Sequence, residues 1–501
     1  MGLRPRPHQL EATKGIITSL ESGLNTLLVA PTGFGKTLAV LVALKASRHL
    51  PALWLVRSLQ VSRRVVEDAL LLGLRPFAAA GRERTCPLAG VLGSAVHAWC
   101  RVNRAKCEYY LELLRRGAED LLPMYWHDLL GGSVCPYYAQ DLYARRADIV
   151  VQSYYRRPYP VTAVVVDEAH NLLAPRERRL GVHSLSAAIA ELKALGRSDI
   201  ADEVVSISRT VGHVPLERLP LAELEQALIE AVSKLKEVRG LPKLVAAVRT
   251  CQLGGTAYRE PWEDYVAVYE PPFRPRIEPA IYLTATLPEG LEKALNVQAV
   301  IRVPSTQRTA FVTSWLTTKF GEETWSGYVK LLTHLRFKYR RVLAFATERV
   351  AMHLLDAVQL YELELSEPPK DWKGVLLLHV RGRFAEGVDL PADAVVILGA
   401  PFLPPEVTSR LRKYYERLGA GDVALWAPMV IATLQAIGRA ARSPEQRPVT
   451  ILADERFLKY KDRLRPYLEV REIGNEKALL ENRRHAYKAQ EGSSTDGEEG
   501  T

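Results

Sequence analysis

Cysteine is scarce, with 5 in 501 residues, four of them between positions 86 and 135 and Cys251 apart. In so long a chain without a secretory leader, that excludes a disulfide scaffold. Apolar runs long enough to cross a bilayer are also missing, so no membrane partner is expected. Arg4 and Arg6 are followed by Glu11 and Lys14 in an amphipathic pattern, which is no signal peptide, and Arg6 stands where N-myristoylation wants Ser or Thr. These absences predict a cytoplasmic protein. Asparagine is thin and arginine abundant, as in thermophilic proteins. Neither charge sign is lacking: 67 Lys and Arg face 57 Asp and Glu, a net +10 with pI near 9.2. That balance is a modest argument for a polyanionic partner such as nucleic acid. Hydrophobic content of 48% and charged content of 25% are those of a globular chain, long enough here for several domains.

What the chain does carry begins at Leu27–Thr37, Leu-Leu-Val-Ala-Pro-Thr-Gly-Phe-Gly-Lys-Thr. It reads as a buried strand, a glycine-bearing loop and a helix start. Pro31, Thr32, Gly33, Phe34 and Gly35 would wrap backbone N–H groups around an anion. Lys36 would reach the β- and γ-phosphates of a nucleotide, and the Thr37 hydroxyl would sit on Mg²⁺. The following helix would turn its positive end to the phosphates. Residues 8–22 predict a helix ahead of this loop, and Gln9 has the amide geometry to read both edges of adenine. A surface glutamine is the plain alternative.

Further apolar runs predict the strands of a parallel sheet at Ala52–Val56, Ile149–Val151, Ala163–Val166 and Ile281–Leu283. Carboxylates at a strand's end face the phosphate loop in such a sheet. Asp167 would hold Mg²⁺ through water, and Glu168 would orient and activate the attacking water. Arg57 and Ser58 end the second strand, where they suit a phosphate backbone. Thr284 and Thr286 follow the last. From about 305 a second α/β unit begins, with strands near Ala310–Val312, Val342–Ala346, Val375–Leu378, Val395–Leu398 and Val449–Ala453 and no phosphate loop. It carries Gly382–Asp389, with Gly387 and Asp389, and the run Gln435–Arg442. Arg439 and Arg442, three apart, would share a helical face and point at a γ-phosphate. Residues 172–275 show helical periodicity at Leu185–Leu195 and Leu221–Val238 and no catalytic cluster. The polar tail from Gln490 predicts disorder.

Cys86, Cys100, Cys107 and Cys135 are spaced C-x13-C-x6-C-x27-C. No C-x2-C pair occurs, so a zinc ribbon fits poorly. Four thiolates in one short stretch suit a tetrahedral zinc ion or a [4Fe–4S] cluster, with four unliganded structural cysteines as the alternative. Tyr109, Tyr110, Tyr137, Tyr138, Tyr143, Tyr154 and Tyr155 lie among Arg101, Arg104, Lys106, Arg145 and Arg146. Such a mix can stack bases, or it can pack the segment.

Taken together, the motifs at 30–37, 147–155, 165–172, 386–390, 435–442 and 453–457, with the four cysteines, resemble the XPD branch of superfamily 2 helicases in its archaeal form. The resemblance implies an α/β fold of two RecA-like domains with an Fe–S insert and a helical Arch-like insert in the first. The expected division is 1–81, 149–175 and 276–304 for domain 1, 82–148 for the Fe–S insert and 176–275 for the Arch-like insert. Domain 2 would span 305–485 and the tail 486–501. It implies a monomeric, ATP- and Mg²⁺-dependent 5′→3′ DNA helicase on single strands and duplex junctions, of nucleotide-excision-repair type. The four cysteines would ligate a [4Fe–4S] cluster, Arg82 would lie close to cluster and DNA, and Lys36, Asp167, Glu168, Gln435, Arg439 and Arg442 would form the catalytic set. The gap between Cys100 and Cys107 is wider than the usual close pair, and the Arch-like insert is short. A translocase or RNA helicase without DNA unwinding is the runner-up, and an ATP-inactive binding factor a more distant one.

Overall fold

A computed structural model describes residues 4–31, 33–57, 59–117, 123–172, 175–234, 237–271, 277–286, 291–304, 308–367, 369, 371–382, 384, 390–417, 421–440 and 448–475. The chain forms two compact units, one of residues 1–304 and 403–425, the other of 305–402 and 426–501.

In the first unit the apolar runs become strands β1 (Thr26–Val29), β2 (Ala52–Val56), β3 (Pro76–Ala78), β4 (Ile149–Ser153) and β5 (Ala163–Val166). After four strands that form a separate sheet, β6 (Arg176–Gly181), β7 (Gly212–Val214), β8 (Thr256–Arg259) and β9 (Tyr265–Glu270), come β10 (Ala280–Thr284) and β11 (Ala299–Arg302). The main sheet runs β11-β1-β10-β5-β2-β4-β3, and every pairing is parallel. Its strands are buried on both faces, which is why they read as continuous apolar runs instead of alternations. The core gathers Ile16, Leu28, Val40, Leu44, Trp54, Val151, Val165 and Leu283 between helices Gln9–Glu21 and Lys36–Ala46 and the sheet.

The cysteine-bearing stretch is a set of short helices, chiefly Val96–Asn103, Glu108–Arg116 and Pro136–Ala144. Buried Gln140 ties the last of them to the main sheet's exit: its Oε1 accepts from Ala80 N–H at 2.7 Å and its Nε2 donates to Ala80 O at 3.3 Å. The periodic stretch beyond residue 175 holds helices Val182–Ala194, Ser198–Ser208, Leu221–Lys234 and Leu241–Gln252. It is not all helical: β6–β9 make an antiparallel sheet in the order β6-β9-β8-β7. Leu192, Val204, Leu224, Leu244 and Val268 form its own core, joined by Ala95 and Ala98 of the cysteine stretch. Buried Glu191 accepts the backbone N–H groups of Arg239, Gly240 and Leu241 at 2.6, 2.9 and 2.7 Å, satisfying the donors that open helix Leu241–Gln252. Helix Pro405–Arg417, far along the chain, packs on β7 and β8 of this sheet, where Arg410 lies 3.6 Å from Glu217. The expected single run of 305–485 is thus interrupted by a segment that groups with the first unit.

The second unit holds β12 (Arg308–Thr313), β13 (Arg341–Ala346), β14 (Leu360–Tyr361), β15 (Gly374–His379), β16 (Ala394–Leu398), β17 (Val449–Ala453) and β18 (Leu468–Ile473). They run β14-β15-β13-β16-β17-β12-β18, again all parallel. Two mostly parallel sheets, each with its own apolar core, are the two RecA-like domains expected from the sequence.

Candidate active site

Ligands of an open parallel sheet gather at the carboxyl ends of its strands. In the first unit β1, β10 and β5 are neighbours, with Val29 paired to Thr284 and Val166 to Tyr282. The three loops that leave them therefore converge, and each carries one of the motifs singled out from the sequence. Past β1, Gly33 and Gly35 have φ of 84° and 87°. Gly35 is the residue before helix Lys36–Ala46; its φ favours glycine, and a Cβ there would stand 2.7 Å from Gln9 Nε2 and displace the end of that side chain. Lys36 Nζ donates to Ala30 O at 2.9 Å and Pro31 O at 3.2 Å, spanning the mouth of its own loop. Phe34 is buried in the core and fixes the loop's back. Thr37 is half-buried in the first turn of the helix. Gln9 is brought to the loop: its Nε2 donates to Gly35 O at 3.2 Å while its Oε1 accepts from Arg6 N–H at 3.0 Å. Thr32 lies outside the described residues.

Past β5, Asp167 accepts from Glu168 N–H at 3.0 Å. Desolvation and the neighbouring Glu168 push the Asp167 carboxyl up to about 6, against the pull of Lys36. Burial in turn lowers the Lys36 ammonium, while Asp167 and Glu168 favour its charge. The two motifs, 131 positions apart in sequence (167 minus 36), thus act on each other electrostatically. Glu168 has φ of 47°, left-handed for a residue with a Cβ, and its side chain is exposed. Strain of that kind is held in place by its surroundings. Here Tyr154 donates its hydroxyl to Asp167 O, and Asn171 donates from its backbone to Glu168 O at 2.9 Å and from Nδ2 to Glu168 Oε2 at 3.4 Å. Arg57 donates to Asn171 Oδ1 at 2.5 Å, so the arginine expected to meet a phosphate backbone also orients the Glu168 turn. Past β10, Thr284 Oγ1 lies 2.8 Å from His170 Nδ1 and Thr286 Oγ1 lies 3.3 Å from it. All three loops are therefore linked. The sequence singles out Tyr154, His170, Asn171, Thr284 and Thr286 within its motifs, but the contacts they make here depend on strand order.

The second unit carries Gln435 and Arg439 four apart near the end of helix Val423–Arg439. Leu390 and Ala392 donate their N–H groups to Arg439 O and Ala440 O at 3.0 and 3.2 Å, which joins the chain after Gly382–Asp389 to the end of the arginine-bearing helix. Arg442, Gly387 and Asp389 lie outside the described residues.

The four cysteines of the insert are free thiols, with Cys100 and Cys135 buried and Cys86 and Cys107 half-buried. Burial raises Cys135 to about 11, and Cys107 and Cys100 add to the rise; burial also raises Cys86, again with Cys100 and Cys107 among the causes. The thiols are thus within electrostatic reach of one another. Backbone N–H groups of Tyr138 and Tyr137 point at the Cys135 sulfur, and that of Leu88 at Cys86. Among the described residues no three His, Cys, Asp or Glu side chains come together to hold a metal ion. Four thiols within electrostatic reach of one another, two of them with N–H donors aimed at the sulfur, have the chemistry of a thiolate-ligated metal centre, zinc and iron–sulfur alike. The tyrosines mainly pack: the Arg82 guanidinium lies 4.3 Å from the Tyr137 ring, Arg104 lies 5.3 Å from Tyr110, and both arginines donate to Tyr138 OH at 3.4 Å.

Residues 307–470 fit the family model described as a helicase C-terminal domain. A solved XPD helicase superposes with a TM-score of 0.70 at 19% identity, covering 94% of this chain and 100% of that one. The chain has the XPD-helicase fold. An apo form of XPD gives 0.61 at 17% identity over 92% of this chain and 100% of that one. Xpd4 of S. tokodaii gives 0.60 at 16% over 94% and 100%. No curated protein matches the sequence. Among the described residues no helix is long and apolar enough to cross a membrane.

Proposed function

We propose that this protein is an ATP-dependent DNA helicase of the XPD type that moves 5′→3′ along single-stranded DNA and opens duplex junctions, as a cytoplasmic monomer serving DNA repair. The observation that carries the proposal is the mutual electrostatic contact of Lys36 with Asp167 and Glu168, at the carboxyl ends of adjacent strands in an XPD-like fold. Lys36 would exchange its two loop carbonyls for the β- and γ-phosphates, and Gly33, Gly35, Pro31, Thr32 and Phe34 would form the cradle. Gln9, already hydrogen-bonded to the loop, would report adenine occupancy to it.

Thr37 and Asp167 would hold Mg²⁺, which neutralises phosphate charge in transfer. So few protein ligands suit an ion that keeps water and phosphate oxygens. Glu168, fixed by Asn171, would take the proton of the attacking water. Gln435, Arg439 and Arg442 would serve the transferred phosphoryl group from the second unit, with Gly387 and Asp389 on the loop joined to their helix. Cys86, Cys100, Cys107 and Cys135 would ligate a [4Fe–4S] cluster, which would cross-link four segments of the insert. Residues 82–148 and 176–275 would be the two inserts flanking a bound strand, and phosphate contacts would make binding salt-sensitive.

The test is ATP hydrolysis with and without single-stranded DNA, together with displacement of strands from duplexes tailed at the 5′ or the 3′ end. DNA-stimulated hydrolysis with opening of 5′-tailed duplexes only is expected. Stimulated hydrolysis without displacement would make it a translocase, and displacement of RNA alone an RNA helicase.

A further inference from the structure

Arg57 and Asn171 stand side by side although 114 positions separate them in the chain. Leu55 of β2 pairs with Val166 of β5, and Asp167 donates its N–H to Leu55 O at 2.9 Å. The residue two beyond Leu55 therefore comes to lie beside the turn that follows β5. There the Asn171 side chain, 8% exposed, meets a different neighbour at each end of its amide. Its Oδ1 accepts from the Arg57 guanidinium at 2.5 Å, and its Nδ2 donates to Glu168 Oε2 at 3.4 Å. Reversed, the amide would set its NH₂ against a guanidinium and its oxygen against a carboxylate. The cation thus fixes which end of Asn171 faces Glu168. Asn171 also holds the turn by a route independent of its side chain, its backbone N–H donating to Glu168 O at 2.9 Å. Glu168 is exposed with φ of 47°, so its carboxylate is aimed by contacts of this kind and not by burial. Arg57 is half-buried and follows β2 at the carboxyl edge of the sheet, where ligands gather.

We infer that Arg57 and Asn171 are positioning residues that make ATP hydrolysis respond to a bound strand: a DNA phosphate that anchors Arg57 locks the Asn171 amide, which in turn holds the Glu168 carboxylate for the attacking water. The inference rests on the function proposed above and adds to it the route by which the strand is sensed. A guanidinium carries five N–H donors in a rigid fork, so one can serve Asn171 while others meet a phosphate. Without a strand, the long arginine side chain keeps rotamer freedom, and the amide that it orients follows it. With a phosphate on it, that freedom is lost. The Nδ2–Oε2 contact of 3.4 Å is long for a hydrogen bond to a carboxylate, which leaves room for it to shorten once Arg57 is anchored.

The experiment measures kcat and KM for ATP without DNA and at a saturating oligo-dT strand, alongside strand affinity by fluorescence anisotropy and the thermal midpoint. It compares full-length wild type, Asn171→Asp, Asn171→Leu and Arg57→Lys. Aspartate keeps the acceptor for Arg57 and puts a carboxylate against Glu168. Leucine has nearly the same shape and removes both ends of the relay. Both leave the backbone bond to Glu168 O in place. Lysine at 57 keeps a cation for the phosphate and loses the fork. In each variant kcat with DNA should fall about tenfold, as the loss of one hydrogen bond to a charged group would, and by more than kcat without DNA, so that the ratio of the two drops. The two Asn171 variants should bind the strand as wild type does. The kinetics are read at temperatures where the midpoints show every compared variant folded, and Asn171→Asp and Arg57→Lys carry the test if leucine unfolds the chain. Wild-type stimulation in a folded Asn171 variant, or an equal fall with and without DNA, would overturn the inference and leave Asn171 a support of the turn. A wild type that does not hydrolyse ATP, or that DNA does not stimulate, would instead overturn the function on which the inference rests.

Discussion

Removing Asp454 should destabilise the second unit more than any single surface change. Asp454 is 0% exposed and follows β17, the middle of three neighbouring strands. Its Oδ2 accepts from Thr318 N–H at 3.1 Å and Thr318 Oγ1 at 2.9 Å, beyond β12, and from Ala400 N–H at 3.2 Å, beyond β16. Arg456 closes the set, with N and Nε donating to Oδ1 at 2.9 Å each and NH2 to Oδ2 at 2.7 Å. Breaking a buried pair by deleting one partner costs about 3–5 kcal/mol, because the other charge is left alone. For a unit of this size that lowers the midpoint by roughly 6–20 °C. Asp454→Ala should show it in thermal unfolding, with hydrogen exchange accelerated in peptides from β12, β16 and β17. Adding Arg456→Met removes the orphaned guanidinium, so the double variant should be more stable than Asp454→Ala alone. Burial works to raise the Asp454 carboxyl, but the hydrogen bonds and charge of Arg456 prevail and hold it below its ordinary 3.8. A folded value below the unfolded one contributes stability above about pH 3.8, lost as pH falls through the folded value. The gap between wild type and Asp454→Asn should therefore close in acid. A cost under about 1 kcal/mol for Asp454→Ala, or a double variant less stable than the single, would refute this account.

Three further outcomes are expected. Lys36→Ala should lower kcat for ATP hydrolysis about 10²–10³-fold, since it would delete the cation proposed to meet the β- and γ-phosphates; steady-state kinetics check this. Thr284→Val keeps the shape but leaves buried His170 without its 2.8 Å partner, and should cost about 1–3 kcal/mol in denaturant unfolding. His213, beside β8, is lowered from 6.5 by burial and by Arg410 and Arg218, against Glu217 and Glu406. The unfolded chain then binds the proton first, so stability falls with pH below 6.5. Midpoints measured between about pH 7 and 5 should fall less steeply in His213→Asn than in wild type, and equal slopes would contradict the assignment.

Strands buried on both faces were legible because burial writes itself as an uninterrupted apolar run, as in Ala163–Val166 and Val395–Leu398. The sheet beside the insert was not. β6 reads Arg-Glu-Arg-Arg-Leu-Gly, with only Leu180 buried, so neither hydrophobic period appears. β18 alternates as Leu-Glu-Val-Arg-Glu-Ile at a sheet edge and lacks the apolar signal of its neighbours. At the site, glycine spacing announced the tight loop between β1 and helix Lys36–Ala46, and an apolar strand ending in Asp167-Glu168 announced the turn that acts on it electrostatically. The contacts of Asn171 and Tyr154 with the Glu168 turn come from which strands lie side by side, which no local pattern encodes. Gln9 falls between the two: its residue type was informative, while its attachment to Gly35 O is visible only in three dimensions.

The excursion of residues 403–425 has a practical consequence. The polypeptide passes from first unit to second near 304, back near 402, and across again near 425. A gene split at 304 and 305 would therefore not yield two complete folding modules. The first fragment would lack helix Pro405–Arg417, laying bare the surface of β7 and β8 that it covers and leaving Glu217 without Arg410. The second fragment would carry that helix with its apolar residues Val407, Leu411 and Tyr415, all 0% exposed in the whole chain, turned out to water. Dissection into halves needs the helix grafted onto the first piece and a short bridge in the second.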